Sequence, residues 1–199
     1  MADFALRSWV EVSRETIASN YRALKQAAGA GVEIMPVVKA DAYRHGAVEV
    51  SRVLEREGVR WLAVSSVEEG ATLRGSGVKA RILVMADFLP GEREGLLEYG
   101  LTPVIHAVED IASWDALCAR HGARAAFHLK IDSGMGRLGT RAEAAQIAAA
   151  VKGCTHARFE GLMTHFASSA DYTSAQTGAI TASVKSSSSM VWPVATKPA

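Results

Sequence analysis

The sequence predicts an α/β protein of repeated βα units, either a TIM-type barrel or a doubly wound sheet. Three observations carry this expectation. Short apolar or β-branched runs alternate with amphipathic segments of helical spacing. The runs are near-continuously apolar, as in strands buried on both faces of a parallel sheet. The pair recurs about every 20–30 residues, a spacing suited to consecutive βα units.

In chain order, Ser8–Val12 alternates and reads as a short strand. A helix is expected over about 14–28, where Ser13 can cap the first turn and Glu15 lies where the helix dipole favours an anion. Thr16 stands where a full capping box would need Glu or Gln. Strands are then expected at Val32–Val38, Trp61–Ser65, Arg81–Met85, Leu101–His106, Ala123–Ile131 and Phe159–Thr164. Helices are expected near Ala47–Glu57, Val67–Arg74, Glu92–Tyr99, Val108–His121 and Arg141–Lys152. After Thr164 the pattern stops. Residues 172–199, with consecutive serines at Ser186–Ser189 and prolines at 193 and 198, read as a disordered tail, leaving 1–171 as the folded part. A closed barrel needs eight strands and about 250 residues. The roughly six strands here imply either an open sheet or a part of a larger protein.

Composition narrows the function classes. The 199 residues are 49% hydrophobic and 22% charged, as in an ordinary globular chain. With 22 Lys+Arg against 21 Asp+Glu and no basic run, nothing suggests a nucleic-acid partner. No apolar stretch reaches the ~18 residues of a membrane span. The start, MADFALRSWVEV, carries an acid and lacks the basic and apolar regions of a secretion signal. Two cysteines, Cys118 and Cys154, in no metal-ligand spacing, fit free thiols in a reducing cytoplasm.

Candidate chemistry sits at strand ends. Lys39 closes the first expected strand in MPVVKADAYRHG, where an apolar setting would favour the neutral amine that Schiff-base chemistry requires. The alternative is a lysine that simply reaches solvent. Tyr43 could donate to a phosphate or merely pack. HLKIDSGMGRLGT, residues 128–140, contains Gly134, Gly136 and Gly139 in a G-x-G-x-x-G spacing. A dinucleotide site should open the first βα unit rather than follow about five strands, so the context argues against one. The same loop gathers Lys130, Asp132 and Arg137 near one strand end. Lys130 alternates inward with His128 and Asp132, and an inward cation needs a partner or a modification. A plain salt-bridge cluster is the other reading. His165 ends the sixth strand, but the histidines show neither HxH nor HExxH spacing, and no G-x-S-x-G elbow is present. No metal site is expected.

PVVKADAYRHG, HLKIDSGMGRLG and LMTHFASSAD, in this order and spacing, resemble alanine racemase, a pyridoxal-phosphate enzyme, and RSWVEVSRETIASNYRALK resembles that family's opening segment. The similarity runs from about Arg7 to Asp171. It implies an incomplete (β/α)8 TIM-type barrel of about six βα units, with the family's C-terminal β domain absent. It implies that Lys39 carries pyridoxal 5'-phosphate as an internal Schiff base and acts catalytically. By the same resemblance Tyr43 binds the cofactor phosphate. Arg137 lies near the phenolic oxygen and the substrate carboxylate. Lys130, carbamylated in some members, holds that arginine. His165 supports the arginine that faces the pyridine nitrogen.

The implied activity is interconversion of L- and D-alanine by a homodimer in which a partner tyrosine from the C-terminal domain serves the second face. That tyrosine, the pyridine-facing arginine and the main phosphate loop would lie beyond the family pattern seen here, so a weak or inactive chain is expected. The alternative is a single-domain pyridoxal-phosphate binding protein without racemase activity. A third is a non-enzymatic fragment with exposed strand edges.

Overall fold

The computed structural model describes residues 8–86 and 89–169, together with Ala175 and Gly178. The expected tail at 172–199 lies, apart from those two positions, outside the described residues. The chain divides into two compact units, Met1–Ile82 and Leu83–Ala199.

The first unit opens with α1 (Arg14–Ala28). Ser13 caps it as expected: its hydroxyl accepts the Thr16 N–H at 3.1 Å, satisfying one of the free donors of the first turn. Next come α2 (Lys39–Arg44), α3 (Ala47–Arg56), β1 (Trp61–Val64) and α4 (Val67–Gly75). Helix α3 turns Val50, Val53 and Leu54 inward, the i, i+3, i+4 stripe of an amphipathic helix. Leu62, Ala63 and Val64 of β1 are all buried, as a strand covered on both faces requires. Strand β2 (Arg81–Val84) straddles the boundary of the two units.

In the second unit a 3-10 turn (Pro90–Glu92) leads into α5 (Arg93–Glu98). Then follow β3 (Thr102–Ile105), α6 (Glu109–Arg120), β4 (Ala125–Lys130), α7 (Ala144–Lys152) and β5 (Ala157–Met163). All neighbouring strands here are parallel, in chain order: Leu83 faces Thr102, Val104 faces His128, and Phe127 faces Phe159. A register shift between Phe127 and His128 leaves Glu160 opposite no partner, so His128 faces Gly161. The core gathers Val104, Ile105, Phe127 and Leu129 from the strands with Ile111, Trp114 and Leu117 from α6.

Asp115 of α6 fastens the start of β5. Its carboxylate accepts the N–H groups of Thr155, His156 and Ala157 at 3.0, 2.7 and 2.6 Å. Burial alone would push its pKa up. The three backbone donors and the Thr155 hydroxyl prevail and hold it below the usual value.

Five of the expected strands and all the expected helices are present, with ends moved by a few residues. Two expectations fail. Ser8–Val12 is not a strand: no ladder bond joins it to another described segment, and extended backbone without a partner is not a sheet. Val32–Val38 shrinks to a single parallel bridge, Val37 with Ala63. Pro36 supplies no N–H, so toward β1 this stretch keeps the Pro36 carbonyl, which accepts from Ala63 at 2.9 Å, and the Val38 N–H, which donates to Ala63 at 2.8 Å. No helix among the described residues is long and apolar enough to cross a membrane.

Candidate active site

In the first unit, Lys39 follows Val38, which is buried and hydrogen-bonded to Ala63 of β1. Lys39 itself is half-buried. The chain then does something its composition does not announce: Ala40, Asp41, Ala42 and Tyr43 all have φ of 50–56° and ψ of 42–47°, and Arg44 has φ 69°. This is one turn of left-handed helix made without a glycine. Each L-residue there costs roughly 1–2 kcal/mol against the right-handed form. Such strain persists only where surrounding bonds fix it, and it concentrates at functional sites.

The fixing bonds are visible. Ala42 N–H donates to Val38 O at 2.9 Å and Gly46 N–H to Asp41 O at 3.0 Å. The Asp41 carboxylate accepts the Ala47 N–H at 2.7 Å, capping α3 with a charge its dipole favours. Glu69 accepts the Ala40 N–H at 2.7 Å. Tyr43, next to last in the turn, is 56% exposed.

In the second unit, Lys130 ends β4 and is only 3% exposed. Burial lowers the pKa of its ammonium first, the Arg137 charge lowers it further, and Asp132 opposes both. Lys130, Asp132 and Arg137 therefore do share one neighbourhood, as the sequence predicts. The pairing differs from a simple cluster. Asp132 bonds Arg141, at 2.8 Å to Nε and 2.6 Å to the fork, while Arg137 is exposed and meets no carboxylate among the described residues. Sequence reasoning missed Arg141, because loop closure brings it to Asp132 and spacing alone does not reveal that.

The glycine-rich loop has its own explanation. Asp132 accepts the N–H groups of Gly134 and Gly136 at 3.1 and 2.9 Å, so these donors are turned to a carboxylate rather than offered to a pyrophosphate. Gly139, with φ +114°, passes so close to residues 130–132 that a Cβ would sit 2.8 Å from the Asp132 nitrogen. The loop is pinched shut there: Asp132 N–H donates to Thr140 O and Thr140 N–H to Lys130 O, at 3.0 and 2.9 Å.

These bonds hold the Asp132 carboxyl down at about 2, against 3.8 ordinarily; the Gly136 N–H contributes most, then Arg141 and the Gly134 N–H. A carboxyl lowered in the folded state stabilises above its unfolded value, and the gain fades as pH falls from about 4 toward 2. Asp132→Asn is expected to flatten the loss of stability across that window. Denaturant midpoints measured on both sides of it check this; an unchanged acid slope would sink it.

Thr164 follows β5, and its hydroxyl donates to Ile131 O at 3.0 Å, linking the ends of β4 and β5. His165 comes next and is exposed. His128 turns to Glu160, 3.4 Å from Nε2 to the carboxylate, with Gly161 against its ring. Among the described residues no group of three His, Cys, Asp and Glu could hold a metal ion. The structure thus gathers Lys39 with Tyr43 in one unit, and Lys130, Asp132 and Arg137 in the other, with His165 just beyond the adjoining strand.

The family model of the alanine racemase N-terminal domain matches residues 12–191. The chain belongs to the alanine racemase family. A curated alanine racemase from Halothermothrix orenii is 39% identical over 162 residues, 81% of this chain and 43% of that protein. The solved alanine racemase of Clostridium difficile 630 superposes with a TM-score of 0.78 at 30% identity, covering 90% of this chain and 51% of that one. The Bartonella henselae alanine racemase, solved with covalently bound pyridoxal phosphate, gives a TM-score of 0.77 at 25% identity over 88% of this chain and 51% of that one. The chain spans about half the length of the relatives it matches. Its fold is the α/β TIM-type barrel of this family, in incomplete form, which decides between the two sheet architectures the periodicity left open.

Proposed function

We propose that this chain carries the cofactor half of a pyridoxal-phosphate racemase that interconverts L- and D-alanine for D-alanine supply in the cytoplasm. The observation that carries the reading is Lys39, half-buried beside a left-handed turn whose backbone is bonded on both sides. Arg137 supports it: an exposed guanidinium that meets no carboxylate among the described residues fits an anionic group. The phosphate, phenolate and substrate carboxylate are such groups.

When bound, pyridoxal phosphate supplies the electron sink that acidifies an amino acid's α-proton. Lys39 holds it through Nζ and moves a proton on one face. The Tyr43 hydroxyl donates to the phosphate. Arg137 would offer its fork to the phenolic oxygen and the substrate carboxylate, and Lys130, once carbamylated and no longer a cation, would hold Arg137 in place. His165 supports an arginine on the pyridine side. Inversion needs a second proton-handling group on the opposite face, and a general acid or base contributes about 10²–10⁴-fold. That group is assigned to the partner of a homodimer, in a domain of the longer relatives. A racemisation assay of the 199-residue chain beside a form extended by that domain tests this. The extended form is expected to be faster by at least about 10²-fold; equal rates would overturn the account of the second base.

A further inference from the structure

We propose that Glu69 is the positioning residue of Lys39: its carboxylate fixes the left-handed turn through which the lysine is presented. The proposal rests on Lys39 as the cofactor lysine and adds the group that sets its backbone. One Glu69 oxygen accepts the Ala40 N–H at 2.7 Å. The other accepts the Ser65 N–H at 2.7 Å and the Ser66 N–H at 3.3 Å. Glu69 N–H in turn donates to the Ser66 hydroxyl at 3.2 Å, closing the capping box of α4.

A capping box needs only the contact to Ser66. The contact to Ala40 lies outside that motif, and it reaches the residue where φ first turns positive. Val38 N–H is held by Ala63 of β1, so both neighbours of Lys39 are anchored, one to the strand and one to the helix that follows it. The charge matters as well as the shape. Three N–H donors converge on two oxygens, and a carboxylate offers lone pairs to all of them. A neutral amide would turn its own N–H₂ against at least one.

The test uses the 199-residue chain and two readouts: exchange of the Ala40 amide by NMR, and covalent capture of pyridoxal phosphate at Lys39, read by absorbance and by mass after borohydride. Glu69→Gln is expected to speed Ala40 exchange and weaken capture, each about tenfold, in line with the loss of one charge-assisted bond. Ser66→Ala, which removes only the hydroxyl acceptor on α4, is the control for helix stability and is expected to keep both readouts. Should Glu69→Gln not fold, Glu69→Asp keeps the charge but is a methylene too short to span both sets of donors, and carries the same expectation. Wild-type exchange and capture in the Glu69 variants would overturn the proposal, as would an equal loss in Ser66→Ala. A wild-type chain that captures nothing would instead count against Lys39 as the cofactor lysine, and Ala40 exchange alone would then decide the role of Glu69.

Discussion

Lys39→Ala is expected to abolish covalent attachment of pyridoxal phosphate and, in the extended form, to lower racemisation by at least about 10²–10⁴-fold. Alanine has no amine to bond the aldehyde and no group to move a proton, so anchorage and one face of the chemistry vanish together. The fold is expected to survive. Lys39 is half-buried, and the bonds that hold this stretch belong to the backbone of Val38, Ala40 and Ala42. Absorbance, with mass after borohydride, reads attachment, and a denaturation curve checks the fold. A variant that folds and still forms the adduct would place the cofactor on another residue.

The second large effect is on stability. Phe127→Ala is expected to cost about 3–5 kcal/mol, the usual loss when a buried aromatic is cut back. Phe127 is 0% exposed on β4 and meets the Phe159 ring edge-to-face at 5.7 Å between centroids. A domain's whole margin is about 5–15 kcal/mol, so this one change should leave the unit barely folded. It should also disturb Lys130, which the same strand carries. Denaturant midpoints of the wild type and the variant measure it; a loss under about 1 kcal/mol would mean the cavity collapses almost completely.

Much of the fold is written locally. The α1 start is legible because Ser13 caps through its own neighbours, and β1 to β3 are legible because each carries a compact apolar run, while β4 and β5 show apolar residues interrupted by polar ones. The failures have tertiary causes. Ser8–Val12 has strand patterning but needs a hydrogen-bonding neighbour that the pattern does not name. Val32–Val38 looks uniformly apolar, yet Pro36 removes a donor from the ladder.

The left-handed turn is the deepest miss. KADAYR has ordinary right-handed composition, and the opposite hand is held by the distant Glu69 carboxylate together with Asp41 and backbone bonds at the turn's own ends. Lys130 and Arg137 were legible as neighbours, whereas the partner of Asp132 was not. Glu69 could be found in the sequence as the end of a Ser66-x-x-Glu69 capping signature. Its second duty could not, because a contact to Ala40 depends on how the chain returns.

The neck at Ile131 and Thr140 has a consequence for how this site could change over time. Because the chain closes on itself there, the strand before it and the helix after it receive the same entry and exit points whatever lies between. The segment carrying Arg137 behaves as a cartridge: its contents can be lengthened, shortened or exchanged while β4 and α7 keep their register. On the proposed role of Arg137, selectivity toward different carboxylates can then drift in that segment while β4 and α7 keep their places.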